Sequence, residues 1–230
     1  MRERITILLR GAPGEIRVWL NEPGWKSTAL CILIVLFGTA LYGATVGLWR
    51  APRQALYTAI KFPLLVLLTA GGNALLNGLL AQLLGSGLSF RQTSRAVLLS
   101  FALAGIILAG LTPVSLFLLY NTPPLTSSAS LRGHSFTLLT QVAFIAGAGV
   151  IANHRLFGLL TDVCQSRLIA RRVFLGWLGG NLLLGSQLAW VLRPFIGSPG
   201  LKVEFLRPDP LRGNFYEAVW HALHHLLFST

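Results

Sequence analysis

The chain has 230 residues, of which 53% are hydrophobic and only 11% charged, and its 19 Lys+Arg against 7 Asp+Glu give a net charge of +12. Soluble domains average roughly 25% charge, and here the apolar residues gather in charge-free runs that reach or approach the roughly 20 residues a helix needs to cross a bilayer. That clustering excludes an ordinary soluble domain. The basic residues between the runs are placed for anionic lipid headgroups, not for nucleic acid.

Residues 1–26 read as a membrane-surface segment. Ile5, Ile7, Leu8 and Leu9 alternate with Arg2, Arg4 and Arg10, and Ile16, Val18, Trp19 and Leu20 surround Arg17. Basic amphipathic stretches with a Trp lie in the interface plane. Glu3, Pro13, Glu15, Glu22 and Pro23, with no small-x-small cleavage site, predict a retained anchor and not a cleaved signal. A turn at Asn21-Glu22-Pro23-Gly24 leads into the first span, about 27–48, flanked by Trp25 and Trp49. Gly43-x-x-x-Gly47 in its second half is a helix-packing signal.

A basic connector, 50–61, reads as helical with Pro52 at its first turn, span two follows at about 62–84, and a second basic, amphipathic connector covers 153–172. Asn73 and Asn77 are four apart on one face and should turn into the bundle, because buried amides in lipid need partners. Span three, about 96–120, contains Pro113, which predicts a kink. Span four, about 134–152, carries Gln141. Span five, about 173–192, carries Gly176-x-x-x-Gly180, Asn181 and Gln187. The tail, 193–230, is stiffened by Pro194, Pro199, Pro208 and Pro210. Asn214-x-x-Glu217 resembles a capping box that starts a last amphipathic helix.

The expected fold is therefore all-α: a polytopic transmembrane bundle of about five spans (27–192), with interfacial amphipathic helices in an N-terminal segment (1–26) and a C-terminal tail (193–230). Lys+Arg number 11 on the side of the N-terminus and 8 on the other, which predicts a cytoplasmic N-terminus and an external C-terminus.

The chemistry expected is sparse. No Asp, Glu, Lys or Arg falls in the centre of a proposed span, which argues against an ion-coupled transporter. Glu217, His221, His224 and His225 recur at helical spacing and are the one metal-like cluster; the alternative is the polar face of an interfacial helix. Cys31 and Cys164 show neither metal spacing nor a disulfide framework. With no nucleotide loop and no nucleophile elbow, no enzyme and no cofactor are expected.

The stretch from Tyr42-Gly43 through Ala55-Leu56, then Ala59-Ile60-Lys61-x-Pro63-Leu64-Leu65, resembles the helix end, connector and Lys-x-Pro entry of bacterial members of the Yip-domain family of five-span membrane proteins. The Asp-Leu-Tyr-Gly-Pro motif of the eukaryotic members is missing. The resemblance implies a five-span topology and a bacterial inner membrane, and through them a scaffold or adaptor whose partners are membrane proteins, lipids or a second copy of the chain. The rival expectation is a transporter or channel component, with Asn73, Asn77, Gln141, Asn181 and Gln187 lining one polar site.

Overall fold

The computed structural model describes residues 2–11 and 13–228, without the side chains of Arg2 and Pro13. Eight helices and no strand occur among the described residues: α1 (Arg2–Arg10), α2 (Pro13–Asn21), α3 (Lys26–Leu48), α4 (Pro52–Leu83), α5 (Phe90–Tyr120), α6 (Ser130–Val163), α7 (Arg167–Val191) and α8 (Phe215–Phe228). Four of them, α3 to α6, are long and apolar enough to cross a membrane.

The expected fifth span corresponds to α7. Its 25 residues are enough in length, but four glycines, Asn181, Ser186 and Gln187 dilute its apolar content. The basic connectors are continuous with the spans. Residues 52–61 and 153–163 are helical extensions of α4 and α6, and α5 starts at Phe90. That start is fixed by a capping box: the Ser89 hydroxyl accepts from Gln92 N at 3.3 Å, and Ser89 N donates to Gln92 Oε1 at 2.8 Å.

Helix α3 packs on α4 and α5, α4 also on α7, and α6 on α5, α7 and α8. Glycine sets the closest approaches. A Cβ on Gly47 would lie 2.5 Å from the Gln54 carbonyl oxygen and 2.8 Å from Ala55 Cα, and one on Gly43 would lie 2.7 Å from the Thr58 oxygen. The Gly43-x-x-x-Gly47 face is thus the α3/α4 crossing, where two backbones meet without side chains between them. Gly176 and Gly180 face side chains of α4 instead of its backbone: a Cβ would lie 3.5 Å from Leu80 Cδ1 and 3.0 Å from Asn73 Oδ1.

Polar side chains cross-link the apolar interior. The Tyr42 hydroxyl donates to Gln141 Oε1, Gln141 Nε2 donates to Ser115 Oγ at 3.0 Å, and Thr45 Oγ1 donates to Ser115 Oγ at 3.3 Å. One amide therefore ties α6 to α3 and α5, and all four residues are buried.

The ends of the bundle are capped differently. At the near end, α1 and α2 fold back on α5 and α6 and bury Leu8, Ile16, Trp19 and Leu20. Arg95, itself buried, donates to the carbonyls of Leu20 (3.1 Å), Glu22 and Gly24. Arg4 forms a two-pronged pair with Glu22 at 2.9 and 2.7 Å and holds its carboxyl below the usual carboxylate range. The far end is closed by the irregular chain between α7 and α8.

Two substitutions separate packing from propensity. Gly47→Ala is expected to destabilise the bundle by about 1–3 kcal/mol through overpacking. Gly179→Ala, with nothing within 4 Å of its Cβ, should leave the protein as stable as before or more so. Thermal unfolding in detergent monitored by circular dichroism is the check.

Candidate functional site: a donor face on helix α4

Gln54, Thr58 and Lys61 follow one another at spacings of four and three, so they share one face of α4. All three are 0% exposed. They grip the segment after α7, a strap running from Pro194 to Arg212. Gln54 Nε2 donates to the carbonyls of Pro194 and Phe195 at 2.8 and 2.9 Å. Thr58 Oγ1 donates to the Phe195 carbonyl at 2.6 Å. Lys61 Nζ donates to Pro194 O and, at 2.7 Å, to Phe205 O. Just before the helix, Arg50 donates to the carbonyls of Ser198 and Leu201 at 3.2 and 2.9 Å.

The Lys61 ammonium has no carboxylate partner among the described residues. Its charge is met by carbonyl dipoles and by the rings of Phe195 and Phe205, each centred 5.3 Å from Nζ. Phe195 stacks edge-on with Phe62 at 5.6 Å, and Phe205 with Tyr57 at 5.3 Å. Lys61 sits nine residues inside α4, hence roughly 14 Å from its start at 1.5 Å per residue. Irregular backbone at such depth is tolerated only where protein satisfies its polar groups. Here α4 supplies donors and the strap supplies acceptors.

Further along, the strap is held by α7. Arg193 Nη1 donates to Pro210 O and Nη2 to Asp209 O, both at 2.7 Å, and Trp190 Nε1 donates to Arg212 O at 2.9 Å. The Arg193 guanidinium lies 3.9 Å above the Trp190 ring.

The five amides singled out in the sequence fall in different places. Gln141 belongs to the α3/α5/α6 network. Asn73 and Asn77 are fully buried on the α4 face toward Gly180 of α7. Asn73 Nδ2 donates to Thr69 O at 2.9 Å, whereas Asn73 Oδ1 and both polar atoms of Asn77 lack a partner. Asn181 is half-buried with its Oδ1 unpaired, and Gln187 is exposed.

The Glu217/His221/His224/His225 cluster is not gathered around one point, and no group of three potential metal ligands occurs among the described residues. Glu217 is engaged as the cap partner: Asn214 Oδ1 accepts from Glu217 N at 3.0 Å, and Asn214 Nδ2 donates to Glu217 Oε1 at 2.7 Å. His224 packs on Phe228 with centroids 5.0 Å apart. Helix α8 packs along α6 and α7, and Tyr216 reaches the Leu182 carbonyl at 3.4 Å, well inside the end of α7.

Sequence reasoning missed the α4 donor face because it took Lys61 as the end of a connector. The signal was Gln54-x-x-x-Thr58-x-x-Lys61 running into an apolar stretch without a break. No family model, curated protein or solved structure matches the chain.

Replacing Lys61 by Met leaves the Pro194 and Phe205 carbonyls without their charged donor, and hydrogen bonds to charged groups contribute about 1.5–3 kcal/mol each. Lys61→Met is expected to release the strap while the helices stay folded. Limited proteolysis should then cut within residues 195–206 at least tenfold faster than in the parent, with unchanged helical circular dichroism.

Proposed function

We propose that the chain is a non-enzymatic membrane scaffold or adaptor that binds other membrane proteins through its lipid-facing helix surfaces. The observation that carries this reading is the outward side of α6. Ala143, Ala146 and Gly147 are exposed there, and nothing lies within 4 Å of where a Cβ on Gly147 or Gly149 would be. In lipid, helix association is driven by close backbone approach and not by apolar area, so an open small-residue face suits a partner helix.

The arrangement proposed is a five-span, Yip-like bundle in a bacterial inner membrane, with α7 as the fifth span. In support, α7 reaches about 37 Å at 1.5 Å per residue and packs on α4 through Gly176 and Gly180. The excess of Lys+Arg on the near end puts the N-terminus in the cytoplasm and the strap and α8 on the periplasmic side. Reporter fusions after Lys26, Gly87 and Gln165 should then read cytoplasmic, and fusions after Arg53, Ser128 and Thr230 periplasmic. A cytoplasmic reading after Thr230 sinks either the five-span count or the orientation.

The rival, a transporter or channel component, needs its amides on one path. Gln141 is committed to Tyr42 and Ser115, while Asn73 and Asn77 face another helix seam, which favours the scaffold. Affinity purification in mild detergent tests the choice. Gly147→Leu should lose the co-purifying membrane protein without lowering the thermal midpoint. A parent chain that reproducibly brings down no partner, and whose reconstitution produces a solute flux abolished by Asn77→Ala, would transfer the assignment to the rival.

A further inference from the structure

The near-end cap leaves two buried hydrogen-bonding groups unused. Trp19 on α2 is 6% exposed and Ser27 at the start of α3 is 5% exposed. Neither Trp19 Nε1 nor Ser27 Oγ has a hydrogen-bond partner among the described residues. Other indoles are served: Trp49 Nε1 donates to Pro123 O at 3.2 Å, and Trp190 Nε1 to Arg212 O at 2.9 Å. A buried donor left unpaired costs more than a made hydrogen bond returns, so folded proteins rarely keep one.

Both residues line one small cavity, where α2 meets the start of α3 and the first turns of α5. It leaves about 10 Å³ for the centre of a water-sized sphere, which is the room of a single water. Cys31 and Arg95 line it too. The nearby charges are already engaged. The Arg95 guanidinium donates to the carbonyls of Leu20, Glu22 and Gly24. Arg4 lies over the Trp19 ring, 5.5 Å from its centroid, and pairs with Glu22. The Glu22 carboxyl is held low first by Arg4, and the Ser27 hydroxyl adds to the effect. Ser27 therefore stands beside a carboxylate.

We infer that this cavity is the site of one ordered water that joins α2 to α3. The water accepts from Trp19 Nε1 and donates to Ser27 Oγ. The occupant has to do both. A cation cannot accept from an indole N–H, which is a donor only. A halide can accept, but it has no proton for Ser27, and the Glu22 carboxylate next to Ser27 repels it. Water does both, and a bridging water is nearly as good enthalpically as a direct hydrogen bond. Helix α2 packs mainly on α5 and α6, so the bridge adds a tie between the cap and α3. The site does not depend on the scaffold reading, because it lies at the α2/α3/α5 junction and not on the Ala143/Gly147 face.

The test is X-ray radiolysis of the full chain in native membranes, read residue by residue by mass spectrometry. Hydroxyl radicals form from an ordered water in place and oxidise the side chains beside it. Trp19 is expected to oxidise at least tenfold faster than Trp49, which is also buried, at 8% exposed, but has its indole N–H paired. Ser27→Val puts a methyl group in the cavity and should bring the Trp19 rate down to that of Trp49. Trp19 oxidised no faster than Trp49 in the parent would mean a dry cavity and overturn the proposal. Fast oxidation of Trp19 in both the parent and Ser27→Val would overturn it as well, because water would then arrive by opening of the cap. A thermal midpoint in detergent that rises with chloride at constant ionic strength would reassign the cavity to an anion. Should Ser27→Val fail to fold, Cys31→Leu fills the same cavity from another wall and decides in its place.

Discussion

The structure turns on one buried charge. Lys61 lies in the interior of an apolar helix, and a lysine ammonium cannot stay in such a place without partners. No acid is supplied. The neutralising groups are main-chain carbonyls and aromatic faces of a segment more than 130 residues away in sequence. Docking of the strap and burial of the lysine therefore require each other. Without the strap, Lys61 and Gln54 would face lipid; without α4, the strap carbonyls would have no donors. Gly43 and Gly47 belong to the same constraint, since they bring α3 onto the α4 backbone at Thr58 and Gln54, whose side chains remain with the strap.

The same device appears at the other end, with different residues. Arg95 binds the carbonyls at the end of α2 as Lys61 binds those of the strap. Arg50 and Arg193 also donate to carbonyls. This gives part of the net charge of +12 a structural meaning. A membrane bundle with few acids can cap both ends by pairing cations with carbonyl dipoles, which carry no charge that must itself be desolvated.

Much of the fold was legible in the sequence because the bilayer leaves so few options: apolar runs of sufficient length must be helices. The four long apolar helices and the Asn214 cap follow from local pattern, and local pattern determines them. Helix ends were harder to read. Residues 52–61 and 153–163 are polar enough to resemble connectors, yet Pro52 at the start of α4 and uninterrupted hydrogen bonding carry the helices through them. The α4 donor face escaped because its partners are carbonyls, which have no residue identity. Nothing in the composition of the tail shows that its backbone is the counterpart of Lys61. The amides illustrate the converse: Asn73, Gln141 and Gln187 look alike in sequence, and only tertiary contacts separate a helix staple from an exposed side chain.

The scaffold reading presupposes a bundle whose two ends are fixed, so that α6 presents a constant outer face. The docked strap is the part of that picture most open to direct measurement. With Cys31 and Cys164 replaced by Ser, the pair Tyr57→Cys and Phe205→Cys carries thiols on the two positions whose rings now meet at 5.3 Å, within the span of a short bifunctional maleimide. The reagent in native membranes should link this pair in most of the protein, and link Phe205→Cys to a cysteine at exposed Leu56 on the adjacent face far less. Equal cross-linking to positions 56 and 57, or none to either, would mean that the strap is not seated on α4 and that Lys61 is neutralised by something else.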